Sequence, residues 1–237
     1  MRPLAHALLL SLLSPSPQND LTVRASATRA LIACVDDYDF DDLLFLPHLG
    51  GALLSLAQLV LDASSCDIES LALQAMTVLV NRMASSVPDV MDQVLVILPR
   101  VWARATGDHG AAARRGGDQA EEKSASSILK IYLMTFLTSL VNAIKTASVL
   151  LHAYVVPCIR HGLADDGGSM WTESLQLWLA MVRQAPALSR EICEGLITVE
   201  GGVRGLSWLD HVVQTGDEAL GPALEIVASY VTFADPQ

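Results

Sequence analysis

Residues 35–49 read VDDYDFDDLLFLPHL. Five aspartates, Asp36, Asp37, Asp39, Asp41 and Asp42, stand beside an apolar run that Pro47 interrupts. A proline inside a helix removes one backbone hydrogen bond and bends the helix, so its position matters most if it recurs. Leu46-Pro47-His48-Leu49, Leu98-Pro99-Arg100-Val101 and Val156-Pro157-Cys158-Ile159 share the form apolar, proline, any residue, apolar. Each falls in the first helix of a predicted pair and is followed by an unbroken second helix.

Pro47 and Pro99 are 52 positions apart, and Pro99 and Pro157 are 58 apart. Within the second interval, residues 107–123 read GDHGAAARRGGDQAEEK. That stretch has no apolar residue larger than alanine, so it cannot bury anything and reads as a flexible insertion. Removing its roughly 17 residues leaves about 41, close to the period of about 40 to 47 of HEAT repeats. The expected fold is all-α: a right-handed α-α superhelix, or solenoid, of four to five HEAT-type repeats forming one segment over 1–237. Bends repeated once per unit would curve such a stack and give it a concave side. The aspartates then occupy the turn between two neighbouring units, where charge stays solvated.

Outward from this stretch the pattern stays helical. Asn19 and Asp20 suit a helix N-cap, and Val23, Ala27, Ala30, Leu31 and Cys34 form one stripe, with Arg24 and Arg29 on other faces. The next helix is broken at Pro47 and again at Gly50-Gly51. A helix from Asp67 carries Ile68, Leu71, Ala72, Ala75, Val78 and Leu79 inward, and Pro88 opens another. Helices follow over about 126–145, 147–162 and from Trp171 to Pro186, then a short one around 206–213 and a last one over about 218–233. Asp165-Asp166-Gly167-Gly168 reads as a turn, and the stretch holding Gly195, Gly201, Gly202 and Gly205 as irregular.

Composition agrees. Hydrophobic residues make up 51% of the 237 and charged residues 17%, with mean hydropathy +0.40, so much side-chain surface must be hidden. The net charge of −11 repels nucleic acid and anionic lipid and attracts basic proteins; no nucleic-acid partner is expected. The four cysteines, Cys34, Cys66, Cys158 and Cys193, show neither disulfide nor zinc spacing and read as small buried residues of a reducing compartment. Residues 1–17 imitate a secretion signal, but His6 interrupts the apolar run and Pro15 and Pro17 crowd the cleavage region. Residues 1–18 are therefore expected to form a loosely ordered first helix and linker. Between Lys130 and Lys145 only 14 residues remain, a length suited to a buried helix, and no membrane insertion is expected.

The stretch DLTVRASATRALIACVDDYDF, then FLPHL, resembles a repeat junction of the importin-β (karyopherin-β) superfamily of nuclear transport receptors. The likeness runs in the same order through VLVILPRVW and YVVPCI to ESLQLWLAMVRQAP, covering most of residues 20–190. Asp36-Asp37-Tyr38-Asp39-Phe40 and Leu175-Gln176-Leu177-Trp178-Leu179 are its most specific pieces. The resemblance implies a middle-to-C-terminal part of a HEAT solenoid, without the N-terminal region that supplies much of the Ran contact. It also implies cargo proteins with basic surfaces, Ran GTPase and Phe-Gly nucleoporins as partners, and residence in nucleus, cytoplasm and the pore of the nuclear envelope. The insertion and the region after Pro186 depart from the pattern.

No nucleophile elbow, phosphate loop, dinucleotide glycine pattern or HExxH helix is present, so neither an enzyme nor a cofactor is expected. Cys158 and His161 are half a metal site at most, with no second pair at ligand spacing. Trp171 and Trp178 share a stripe with Leu175, Leu179 and Val182, which assigns them to core rather than to a stacking platform. Asp36, Asp37, Asp39, Asp41 and Asp42 are the candidate protein-binding cluster, set against the plainer reading of a solvated turn. Two rival classes remain: a HEAT scaffold or adaptor unrelated to transport, and a secreted or membrane-attached helical protein.

Overall fold

The computed structural model describes residues 2–37, 39–106, 119–164, 168–188, 190–193, 212–213 and 218–234. Among them there is no strand, and nearly all are helical. The chain divides into two compact units, Met1–Ala143 and Ile144–Gln237.

The first unit contains α1 (Arg2–Leu13), α2 (Leu21–Asp36), α3 (Asp42–Phe45), α4 (Leu49–Asp62), α5 (Cys66–Arg82), α6 (Met91–Thr106) and most of α7 (Gln119–Ile144). α1 packs on α2 and α4 packs on α5, giving two pairs; α1 also meets α4, α2 meets α5, and α4 meets α6. First helices therefore stack on first helices and second on second, as successive helical repeats do. The fold class is the expected all-α helical repeat. Within the stretch expected to be a loosely ordered first helix and linker, α1 has its Leu13 fully buried. The link after it is tied down by Asn19 Nδ2, which donates to the Ser11 and Ser14 carbonyls at 2.7 and 3.0 Å.

Asp20 caps α2 as its position predicts, accepting from Val23 N at 2.8 Å. The buried face of α2 is Arg24, Ala25, Ala27, Thr28, Leu31 and Val35, not the predicted Val23 to Cys34 stripe. Only Ala27 and Leu31 agree, because Arg24 turns inward to a set of acceptors on other helices. Its Nε donates to the Leu13 carbonyl at 3.0 Å, its Nη2 to the Ser55 carbonyl at 3.3 Å and its Nη1 to Asp62 at 2.8 Å. α5 buries Glu69, Ser70, Ala72, Leu73, Ala75, Met76, Leu79 and Val80; only Ala72, Ala75 and Leu79 agree with the predicted stripe, and Ile68, Leu71 and Val78 are half-buried, because the helix lies against both α4 and α2.

Pro47 stands in a turn of 3₁₀ helix, Leu46–His48, between α3 and α4, while Pro99 lies inside α6 and Pro157 inside the eighth helix. Gly50-Gly51 does not break the chain. Both are inside α4, where Gly50 is buried and a Cβ on Gly51 would meet nothing within 4 Å. Pro88 belongs to a 3₁₀ segment, Ala84–Val90, ahead of α6 rather than to its first turn. α7 begins at Gln119, so the last five residues of the predicted insertion start that helix. The rest of the insertion, the turn residues 165–167, the glycines after residue 194 and the predicted helix at 206–211 lie outside the described residues.

The second unit contains α8 (His152–Leu163), α9 (Trp171–Gln184) and α10 (Leu220–Ala234). Lys145, with φ 52°, ends α7 in the left-handed region, and 3₁₀ turns carry the chain over Lys145–Leu151 into α8, later than the predicted start at Ala147. α9 packs on α8 and on α10. It buries Leu175, Leu177, Trp178, Leu179, Met181 and Val182, each side chain of that size being worth about 1.5–3 kcal/mol on full burial. Two helical stretches, Asp42–Asp62 and Ser127–Leu163, have the length and apolarity to cross a bilayer, and 50% and 56% of their apolar windows are buried inside the protein. That burial is what core helices show.

Candidate functional site

The five aspartates sit around the turn from α2 to α3. Asp36 is the last residue of α2 and exposed, and Asp37 follows as its C-cap. The Asp37 Oδ1 accepts from Asp39 N at 3.1 Å and its carbonyl from Phe40 N at 3.1 Å, which closes the turn. Asp41 caps α3, its Oδ1 accepting from Leu43 N and Leu44 N, both at 3.1 Å. Asp42 receives the Arg82 Nε at 2.9 Å; the same arginine donates to the Phe40 carbonyl at 3.3 Å and lies 5.7 Å from the Phe40 ring centre. Three of the five carboxylates therefore shape the turn, and Asp36 and Asp39 remain exposed on it. Leu43, Leu44 and Leu46 are exposed alongside, Leu43 by 81%.

Below the turn lies a small aromatic cluster that the sequence pattern did not reveal. Phe40 and Phe45 meet at 5.3 Å between ring centres; His6 of α1 lies 5.7 Å from Phe40 and 5.3 Å, edge-on, from Phe45, and His48 lies 6.2 Å from Phe45. His6 is only 8% exposed. Burial holds its imidazole below the ordinary histidine range, His48 pushes the same way, and Asp41 opposes them. His6, Cys34, Asp37, Asp39, Phe40 and Asp41 line an open hollow of about 190 Å³. Charge density along the chain pointed to the aspartates. The contribution of His6, from a helix 30 residues upstream, has no local signal beyond a polar residue in an apolar run.

The other candidates are structural. Trp178 is fully buried, as expected, and Trp171 is half-buried at the start of α9. Cys158 is buried, and burial pushes its thiol far up. Among the described residues no group of three or more His, Cys, Asp or Glu is placed to hold a metal. The four cysteines are free thiols; Cys158 and Cys193 are buried as expected, but Cys34 is exposed, because the inward face of α2 is rotated towards Arg24.

Residues 131–237 match the family model described as importin-11-like TPR repeats. TPR units are helix pairs with a shorter period than HEAT units. The whole chain aligns with importin-11 of Homo sapiens and of Mus musculus, in each case with 24% identity over 242 residues covering 100% of this chain and 21% of the relative. The chain is thus similar to importin-11 along its whole length and spans about a fifth of the length of these relatives. No solved structure matches it.

Proposed function

We propose that this chain is part of a nuclear transport receptor of the importin-β kind, one that binds cargo proteins and works with Ran GTPase in moving them between cytoplasm and nucleus. The observation that carries the reading is the end-to-end likeness to importin-11, and the stacking of first helices on first and second on second supports it. Such a protein acts by surface complementarity and flexing, with no covalent chemistry, and its passage through the pore uses weak contacts with Phe-Gly nucleoporins. The α2–α3 turn is the proposed protein-binding surface: Asp36 and Asp39 are exposed beside Leu43 and Leu44, a mixture of charge and apolar area suited to a basic, partly apolar partner.

Binding is measured between the receptor containing these residues, purified Ran and immobilised Phe-Gly repeats. Retention on the repeats, and binding of Ran loaded with a non-hydrolysable GTP analogue in preference to Ran-GDP, are expected. Failure to bind either would overturn the transport reading and favour a helical-repeat scaffold of another kind.

A further inference from the structure

We propose that Ser16 is a phosphoacceptor for a proline-directed protein kinase, and that its phosphorylation loosens the C-terminal end of α1. Neither part depends on the acidic turn or on a transport role. Residues 14–17 read SPSP. Of the ten prolines only Pro15 and Pro17 follow a serine, and none follows a threonine, so the pair such kinases accept occurs nowhere else in the chain. A proline-directed kinase takes its substrate extended and offers no acceptor to the N–H of the residue after the serine, which suits proline because it has none. Proline also biases the residue before it towards extended backbone. Among the described residues, Pro15 and Pro17 are the only prolines outside α-helix and 3₁₀ segments.

The geometry favours Ser16 over Ser14. Ser16, Pro17 and Gln18 are exposed. Their turn is held by two surface contacts, Asn19 N donating to the Ser16 carbonyl at 3.0 Å and Gln18 N to Ser16 Oγ at 3.2 Å. Ser16 accepts in both, which leaves its O–H for a base. Ser14 is half-buried, and its O–H is committed to the Leu10 carbonyl at 2.8 Å. In the transfer, Ser16 Oγ bonds to the γ-phosphorus of ATP and the bond from that phosphorus to the β,γ-bridging oxygen breaks. ADP leaves, and the hydroxyl proton passes to a kinase carboxylate.

The product adds a charge of roughly −1.5 to −2 and three acceptor oxygens. It stands just after α1, whose last carbonyls are the negative end of that helix. Asn19 Nδ2 caps this end by donating to the Ser11 and Ser14 carbonyls at 2.7 and 3.0 Å, and a phosphate three residues before Asn19 competes for that amide. Asp20, which accepts from Val23 N at the start of α2, adds repulsion. The cation nearest in sequence, Arg24, is committed to the Leu13 and Ser55 carbonyls and to Asp62.

The folded chain is incubated with ATP and an active cyclin-dependent or mitogen-activated kinase, and the sites are mapped by mass spectrometry. Phosphate is expected on Ser16 ahead of Ser14, and Pro17→Ala should lose it. By hydrogen exchange, amides in the last two turns of α1 should exchange about tenfold faster in the phosphorylated chain than in the untreated one. Ser16→Ala, treated alike, should show no change. Absence of phosphate on Ser16 of the folded chain, equal modification of Ser14, undiminished modification of Pro17→Ala, or α1 exchange unaltered by the phosphate overturns the proposal. Each of these results leaves the transport reading untouched.

Discussion

Arg24 of α2 donates from Nη1 to Oδ2 of Asp62, the last residue of α4, over 2.8 Å, and the arginine side chain is 4% exposed against 35% for the aspartate. One buried cation thus joins the second helix of one pair to the first helix of the next, and it also receives the end of α1 through the Leu13 carbonyl. Truncating Arg24 takes a donor from the Leu13 and Ser55 carbonyls and from the Asp62 carboxylate, which keeps Gln58 Nε2 at 2.6 Å. Arg24→Ala is expected to cost about 2–4 kcal/mol, and Asp62→Asn, which keeps an acceptor, less than half as much. Urea unfolding followed by circular dichroism measures both.

Gly51 occupies a helical position in α4 where an added methyl group meets nothing within 4 Å. Glycine there carries the entropic penalty of its flexibility with no packing in return. Gly51→Ala should raise stability by about 0.5–1 kcal/mol, visible as a higher urea midpoint with an unchanged slope.

Gly168 has φ +68°, and a Cβ would lie 3.4 Å from two ring carbons of Trp171. Its carbonyl accepts from Trp171 N at 3.2 Å at the start of α9. Gly168→Ala is expected to cost about 1–2 kcal/mol from the left-handed backbone alone, and Trp178→Ala about 3–5 kcal/mol from the cavity it leaves. The ranking of the two in thermal melts checks the assignment of strain and packing.

How much of this was legible follows from where each cause lies. The Asp20 cap, the place of Pro99 and Pro157 inside helices and the inward face of α9 depend on neighbours a few residues away, and periodicity reads them, whereas Pro47 and Pro88 stand in 3₁₀ segments. The inward turn of Arg24 depends on acceptors from α1 and α4, so the sequence placed it on the wrong face. Gly50-Gly51 resembled a break because glycine permits one, yet the apolar residues on both sides of it in α4 keep it helical. The acidic turn was visible as a charge run, whereas its partition into capping, pairing and exposed carboxylates needed Arg82 from 40 residues downstream. The hollow needed His6.

His6 gives the first unit a pH dependence of definite sign. Its folded value lies below the ordinary 6.5, so the unfolded chain takes up the proton first and stability falls as pH drops through about 6.5. The loss levels off below the folded value, and above about pH 7 no contribution remains. His6→Phe, which keeps an aromatic ring between Phe40 and Phe45, should flatten the fall in unfolding midpoint between about pH 7 and pH 5.5. An unchanged slope would refute the assignment to His6.

Arg82, at the end of α5, grips the Asp42 carboxylate, the Phe40 carbonyl and the Phe40 ring together. The acidic loop is therefore riveted to the following layer of the stack and does not hang free at its edge. Through that link a displacement of α5 is passed to the loop, and a displacement of the loop is passed back to α5.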